Sequence, residues 1–362
     1  MSSKRATITD VAKAVGISIG AVSRILNKDP SLAVREETRV AVHRTMAELG
    51  YSPNPHARGL RMARTGSLAM ILPEINSPAF AAMIQGAQKA AHERGYSMLL
   101  GGVGPDADDP GLPARLLHKN RVDGFLVSSG VGEIESLAAL RSLDAPAVLL
   151  NRFLDEGQPH VVLDDEGGVA ALVRHLIGLG HRRIGFLGSP ARFLGTRRVA
   201  GYRIALEEAG ITFDAALVGD AGYSREGGER AMEALFALRR PPTAVFATNH
   251  LVAAGALIVA GRRGVTVPTD LSIGSFYDGP VAELLHPSLT AVRFPLEQLG
   301  FRAASMLIDL VEGREVAETS IVLPHEQVVV RGSTAPAVRA QARRSPARHR
   351  PEPEGRPRPN RA

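Results

Sequence analysis

In residues 7–27, TITDVAKAVGISIGAVSRILN, the side chains Ile19, Gly20, Ser23 and Arg24 share one side of a short helical pattern, while Ala21, Val22, Ile25 and Leu26 share the other. The chemistry this outward row supports is groove reading, in which the first residues of the second helix of a helix-turn-helix meet base edges in the major groove. Arg24 can pair with guanine O6 and N7 in bidentate fashion, worth about 1–3 kcal/mol of discrimination per pair. Ile19, Gly20 and Ala21 offer no side-chain hydrogen bond, so the rest of the reading falls to apolar contact with thymine methyls and close approach at Gly20. Taken alone, the window also fits an ordinary helical hairpin inside a core.

Catalytic readings of the same chain are weaker. Gly16-Ile17-Ser18-Ile19-Gly20 has the GxSxG spacing of serine hydrolases, but that motif works where a strand turns into a helix, and here a helix precedes it. GGVG at 101–104 resembles half of a dinucleotide fingerprint, yet it runs into Pro105, Asp108, Asp109 and Pro110 rather than a helix. The histidines show no metal-ligand spacing. No enzyme activity, metal or cofactor is expected.

Local elements must hold the outward row in place. Ile8, Val11, Ala12 and Val15 mark a first helix, with Thr9 or Thr7 as N-cap; Gly16 stops it, and Ser18 caps the second helix. Residues 38–65, TRVAVHRTMAELGYSPNPHARGLRMART, supply a third amphipathic helix ending at Gly50 and then a Pro-containing, arginine-rich stretch. From Ser67 to about Ser333, apolar runs alternate with helical patterns. SLAMILP, YSMLLGG, VDGFLVSS and APAVLLN form one series of strands; HVVLD, RIGFLG, TAVFAT and LSIGSF form a second. Helices are expected near 166–179, 198–209, 225–238, 251–263 and 295–313, and a further strand over 319–330. Such alternation predicts an α/β fold of doubly wound parallel sheets in two lobes, which bind ligands at the carboxyl ends of the strands.

Charge divides the 362 residues. Residues 1–65 carry eleven Lys/Arg against five Asp/Glu, and residues 335–362 carry eight Arg against two Glu, so the net +6 of the whole chain leaves the middle acidic. A basic small domain beside an acidic large one suits a protein that grips phosphates at one end. The Pro-, Arg- and Ala-rich end, 335–362, should be disordered. There is no cysteine, no apolar run of membrane-spanning length and no apolar leader at 1–9, which together predict a cytoplasmic protein with no membrane partner.

The residues Asp10-Val11-Ala12, Gly16, Ser18, Val22-Ser23-Arg24, Leu26-Asn27, Leu49-Gly50-Tyr51, Pro53-Asn54, Ala57-Arg58 and Leu60 resemble the lactose-repressor/galactose-repressor (LacI–GalR) family of bacterial transcription regulators. The resemblance runs on to about Ser333. It implies a helix-turn-helix domain over 1–53, a hinge helix and linker over 54–65, a two-lobed periplasmic-binding-protein-like core over 66–334 for effector binding and dimerisation, and a tail over 335–362. It also implies a homodimer on a palindromic operator in double-stranded DNA. Ile19, Gly20 and Arg24 take the base-contacting positions, Thr7, Ser23, Asn27 and Lys28 are placed to bind phosphates and set register, and Ser18 completes the DNA-binding set. In the hinge, Leu60 and its symmetry mate wedge into the minor groove and kink it. Ala57 lets the paired hinge helices approach, and Arg58 and Arg61 face groove or phosphates.

The family's effector positions fall on Phe80, Ser128, Asn151, Arg198, Tyr223, Asn249 and Tyr277. Two positions depart from the family pattern: His250 stands where an Asp is usual, and Tyr277 replaces the first Asp of a GFDD-like turn, here SFYDG. The resemblance thus implies a regulator, most often a repressor, controlled by a small-molecule effector such as a sugar or related metabolite. The alternative is a cytoplasmic metabolite-binding protein without specific DNA recognition.

Overall fold

A computed structural model describes residues 6–26, 29, 31–51, 64–73, 78–102, 121–128, 145–152, 157–190 and 193–337. Thr7, not Thr9, opens helix α1 (Ile8–Val15) through a capping box. Its backbone N–H donates to Asp10 Oδ2 at 2.8 Å, and the Asp10 N–H donates back to Thr7 Oγ1 at 3.4 Å. Gly16 ends α1 at φ 76°, a left-handed conformation that costs glycine nothing, and the turn leads into α2 (Ile19–Leu26). Helix α3 (Glu36–Leu49) begins two residues ahead of the expected Thr38. Val11, Ala12, Val22, Ile25 and Val42 are buried among the three helices, with Leu26, Met46 and Tyr51 packed around them.

Among the described residues, the chain beyond residue 63 builds two sheets of six strands. The first takes β1 (Ser67–Leu72), β2 (Ser97–Gly102), β3 (Gly124–Ser128), β4 (Ala147–Leu150) and β5 (His160–Leu163); its helix α4 (Pro78–Glu93) follows β1. The chain then crosses into α5 (Asp165–Gly178) and builds the second sheet. That half holds β6 (Ile184–Gly188), α6 (Phe193–Glu208), β7 (Val218–Asp220), α7 (Arg225–Ala237), β8 (Ala244–Ala247), α8 (His250–Arg262), β9 (Ser272–Ser275), the short α9 (Pro280–Leu284) and β10 (Thr290–Arg293). It returns through α10 (Leu296–Val311) to β11 (Ser320–Leu323) and crosses again to β12 (Gln327–Val329). Strand orders are β11-β5-β4-β3-β1-β2 and β12-β10-β9-β8-β6-β7, parallel throughout except the β10–β12 pair. Helix α10 returns to the first lobe, where it packs so closely on α4 that a Cβ on Gly86 or Gly300 would run into the facing backbone.

Four expectations are corrected here. HVVLD closes the first sheet rather than opening the second, because β5 pairs with β4 and β11. The single strand over 319–330 is two, on different sheets, with the chain crossing between lobes at 324–326. Helix α6 starts five residues before Arg198, and strands β7 and β10 were not anticipated. Finally, Ala335 and Ala337 are tied down. The Ala335 N–H donates to Ser272 Oγ at 3.0 Å, and the Ala337 N–H to the Leu179 carbonyl at 2.8 Å. The rest of the tail, from 338, lies outside the described residues.

His181 anchors that segment. Its Nε2 lies 3.1 Å from the Ala335 carbonyl and 3.0 Å from Ser272 Oγ, and Nδ1 lies 2.9 Å from Thr243 Oγ1. Burial holds the His181 pKa below its ordinary 6.5, and burial does the same at His175. A folded state that prefers neutral imidazole has this contribution in full above pH 6.5 and loses it as the pH falls. We therefore expect the thermal midpoint to drop on acidification below about pH 6.5, and to drop less steeply in His181→Gln. Equal slopes in the two proteins would refute that role.

Candidate nucleic-acid interface and effector cleft

Helix α2 buries Val22 and Ile25, and that burial turns the other side of the helix outward. Ser18, Ile19 and Gly20 are exposed, Ile19 at 47 %, while Ser23 and Arg24 are half-buried. Ser18 Oγ accepts the Ala21 N–H at 3.1 Å, which satisfies one of the open donors at the start of the helix. The Thr7 hydroxyl donates to Asp10 at 2.7 Å, so its first task is to hold α1. Asn27, Lys28, Ala57, Arg58, Leu60 and Arg61 lie outside the described residues.

Arg24 carries partners that sequence reasoning missed. Its Nε donates to Asp29 Oδ2 at 2.8 Å and Nη2 to Ser31 Oγ at 3.0 Å. Asp29 Oδ1 in turn accepts from the Ser31 N–H at 2.9 Å and its hydroxyl at 2.7 Å. These bonds, those from Ser31 and then Arg24, lower the Asp29 carboxyl to about 2. The available signal was Asp29-Pro30-Ser31 just past the helix, since an Asp two residues before a Ser is a common turn former.

The second site gathers where the strands end. Arg198 on α6 is 1 % exposed, and its guanidinium is partnered all round. Nε donates to Asp165 Oδ1 at 2.8 Å, Nη1 to Thr248 Oγ1 at 2.6 Å and Nη2 to the Tyr277 hydroxyl at 2.7 Å. The Phe276 ring lies 4.1 Å beneath it, at cation–π distance. Tyr277 follows β9 in the second lobe. Its hydroxyl also receives Asn151 Nδ2 at 3.4 Å from the first lobe, so the two lobes meet at one phenol. Asn151 stands at φ 53°, the only described non-glycine residue with positive φ, and functional sites concentrate such strain. Burial pushes the Asp165 carboxyl above its ordinary range, and Arg198 opposes that shift. Burial alone would lower Arg198; Tyr277 and Asp165 outweigh it and keep the guanidinium charged.

Ser128, at the end of β3, is fully buried, and its Oγ has no partner among the described residues; the same holds for Asp165 Oδ2. A buried polar atom left open in this way is costly unless a ligand or water meets it. Asn249 caps α8 through Val252 N–H at 2.8 Å and donates to the Tyr223 carbonyl at 2.9 Å, so it positions the segment that carries Tyr223. Phe80 lies in the first turn of α4 and is partly buried against the core. Asp278 sits between Arg293 at 2.7 Å and Arg331 at 2.7 Å. A separate groove of about 750 Å³ runs past Lys89, Asp278, Arg293, Phe294 and Phe301, and none of the predicted effector residues lines it.

Residues 7–54 match the family model for bacterial regulatory proteins of the lacI family, and residues 173–334 match a periplasmic binding protein-like domain. The HTH-type transcriptional regulator DegA of Bacillus subtilis (strain 168) is 33% identical over 338 residues, covering 92% of this chain and 99% of the relative. The chain belongs to the lacI family. The HTH-type transcriptional regulator GalR of Escherichia coli (strain K12) is 32% identical over 337 residues, covering 92% and 98%. A transcriptional regulator solved as a CelR–cellobiose complex superposes with a TM-score of 0.70 at 32% identity, covering 91% of this chain and all of that one.

This lacI-family protein is therefore a DNA-binding transcriptional regulator with an effector-binding domain, and its relatives are regulators rather than enzymes. A metabolite binder without DNA recognition does not fit the match over residues 7–54. Of the seven predicted effector residues, Asn151, Arg198 and Tyr277 meet in one hydrogen-bonded cluster. Asp165, Thr248 and Phe276 complete it and were missed. The signal for Asp165 was the pair of acids, Asp164 and Asp165, directly after the apolar run of β5.

Proposed function

We propose that this regulator is a cytoplasmic homodimer, most simply a repressor, that reads a palindromic operator with residues 1–53 and the hinge 54–65. Its core, 66–334, takes a sugar or related hydroxylated metabolite between the lobes, and 335–362 is a basic tail. The observation that carries the DNA reading is the exposed row Ser18, Ile19 and Gly20 beside Arg24, on a helix whose other side is buried in its own small core. The effector reading draws on the open Ser128 Oγ and Asp165 Oδ2 and on the Tyr277 bridge between lobes. It also draws on a relative solved with cellobiose. Coupling follows by linkage: a ligand that favours one lobe arrangement shifts whichever dimer state supports DNA binding.

The test is selection of duplexes from a random library by the full-length protein, with and without metabolite pools. A palindrome is expected. Arg24→Ala should relax the preference at one base position in each half-site by about 1–3 kcal/mol, since a bidentate arginine–guanine pair gives that much discrimination. Absence of any enriched sequence under both conditions would overturn the operator reading.

A further inference from the structure

We propose that Asp29 and Ser31 are positioning residues for DNA recognition, holding the Arg24 guanidinium in the orientation that reads a guanine. The inference rests on the reading of Arg24 as a base-contacting residue. Arg24 emerges from the last turn of α2 on a long, freely rotating stem, 42% of its side chain exposed. An arginine so placed would ordinarily sample many rotamers, and ordering it on binding costs about 0.5–1.5 kcal/mol. Here the ordering is already present in the free protein. The edge of the guanidinium formed by Nε and Nη2 faces Asp29 Oδ2 at 2.8 Å and Ser31 Oγ at 3.0 Å. That leaves the end of the fork, with one N–H from each terminal nitrogen, for a pair of acceptors spaced like guanine O6 and N7.

Asp29 is itself pinned. Its other oxygen accepts both the Ser31 backbone N–H at 2.9 Å and the Ser31 hydroxyl at 2.7 Å, so carboxylate, serine and guanidinium form one closed set of bonds. The charge has a second consequence. A carboxylate at the DNA surface repels phosphates everywhere and helps only where Arg24 finds its base. Asp29 thus weakens nonspecific binding while sharpening the specific complex, a form of discrimination that the sparse hydrogen bonding at Ile19, Gly20 and Ala21 makes valuable.

The experiment compares full-length wild type, Arg24→Ala, Asp29→Ala, Asp29→Asn and Ser31→Ala. Each is titrated against the selected operator, the operator with the Arg24-dependent base pair replaced, and a random duplex at one salt concentration. Asp29→Asn keeps an oxygen for Ser31 and so preserves the turn while removing the charge from Arg24. We expect Asp29→Ala and Asp29→Asn to lose about two- to twelvefold of the preference for the correct base pair, the fold-change that corresponds to the ordering cost of one such side chain. Random-duplex affinity should rise and melting midpoints should stay close to wild type. Retention of the full preference in both Asp29 variants, with Arg24→Ala still losing it, would overturn the positioning role and leave Arg24 as reader. A sharper preference in those variants would also overturn it, showing Asp29 to be a competitor for Arg24. Loss of nothing in Arg24→Ala would remove both this inference and the base-reading role on which it stands.

Discussion

Asp165→Ala is expected to destabilise the core by about 3–5 kcal/mol in urea unfolding of the full-length protein followed by circular dichroism, the usual cost of breaking a buried ion pair. Arg198 and Asp165 are 1% and 0% exposed, so a guanidinium left without its carboxylate stays shielded from bulk water. The guanidinium would keep Thr248, Tyr277 and the Phe276 ring but no counter-charge. A loss of that size is a large part of the roughly 5–15 kcal/mol that holds a domain folded. Asp165→Asn keeps an acceptor for Nε and should cost less than Asp165→Ala. The opposing influences on Asp165, burial raising its pKa and Arg198 lowering it, supply the sharp control. A change below about 1 kcal/mol in Asp165→Ala would mean the carboxyl is neutral in the native protein and the contact is an ordinary hydrogen bond, worth about that much.

Leu60→Ala should lower affinity for the selected operator by at least about tenfold, equivalent to about 1.4 kcal/mol, and reduce the bend it induces. In the proposed hinge, a leucine wedge unstacks a base step at a cost of a few kcal/mol, which contacts along the bent duplex offset. Alanine is too short to hold the step open. Affinity for random duplex, set by phosphate contacts and salt, should not change. Gel mobility of circularly permuted operator fragments reads the bend directly. An unchanged bend and affinity would show that residues 54–65 act as a basic linker only.

How far the chain could be read without its structure differs between the two sites. The exposed row on α2 was legible because helical spacing alone sorts Val22 and Ile25 inward and Ile19 and Gly20 outward. The same holds for the alternation of apolar strands and helices, and for Gly16 as a stop. Asp29 and Ser31 were not read as partners of Arg24, because a turn predicts a local bend and not the direction of a flexible guanidinium. In the cleft, resemblance to a family pointed to Asn151, Arg198 and Tyr277. What it did not show is that Tyr277 itself supplies the oxygen on Arg198 Nη2 and reaches Asn151 across the lobes.

The amino-acid order alone was enough for the class of most of the described elements, for the α/β character of the core and for the concentration of basic charge at the two ends of the chain. Each of those depends on spacing or charge within a few residues. Only the tertiary structure decided that β5 joins the first sheet, that 319–330 divides between two sheets, and that Asp165 lies against Arg198 thirty-three residues away. An apolar strand is stabilised about equally by burial in either sheet, and a buried arginine by any well-placed acid. The choice between them is made by partners distant in the chain, whose approach no local pattern encodes.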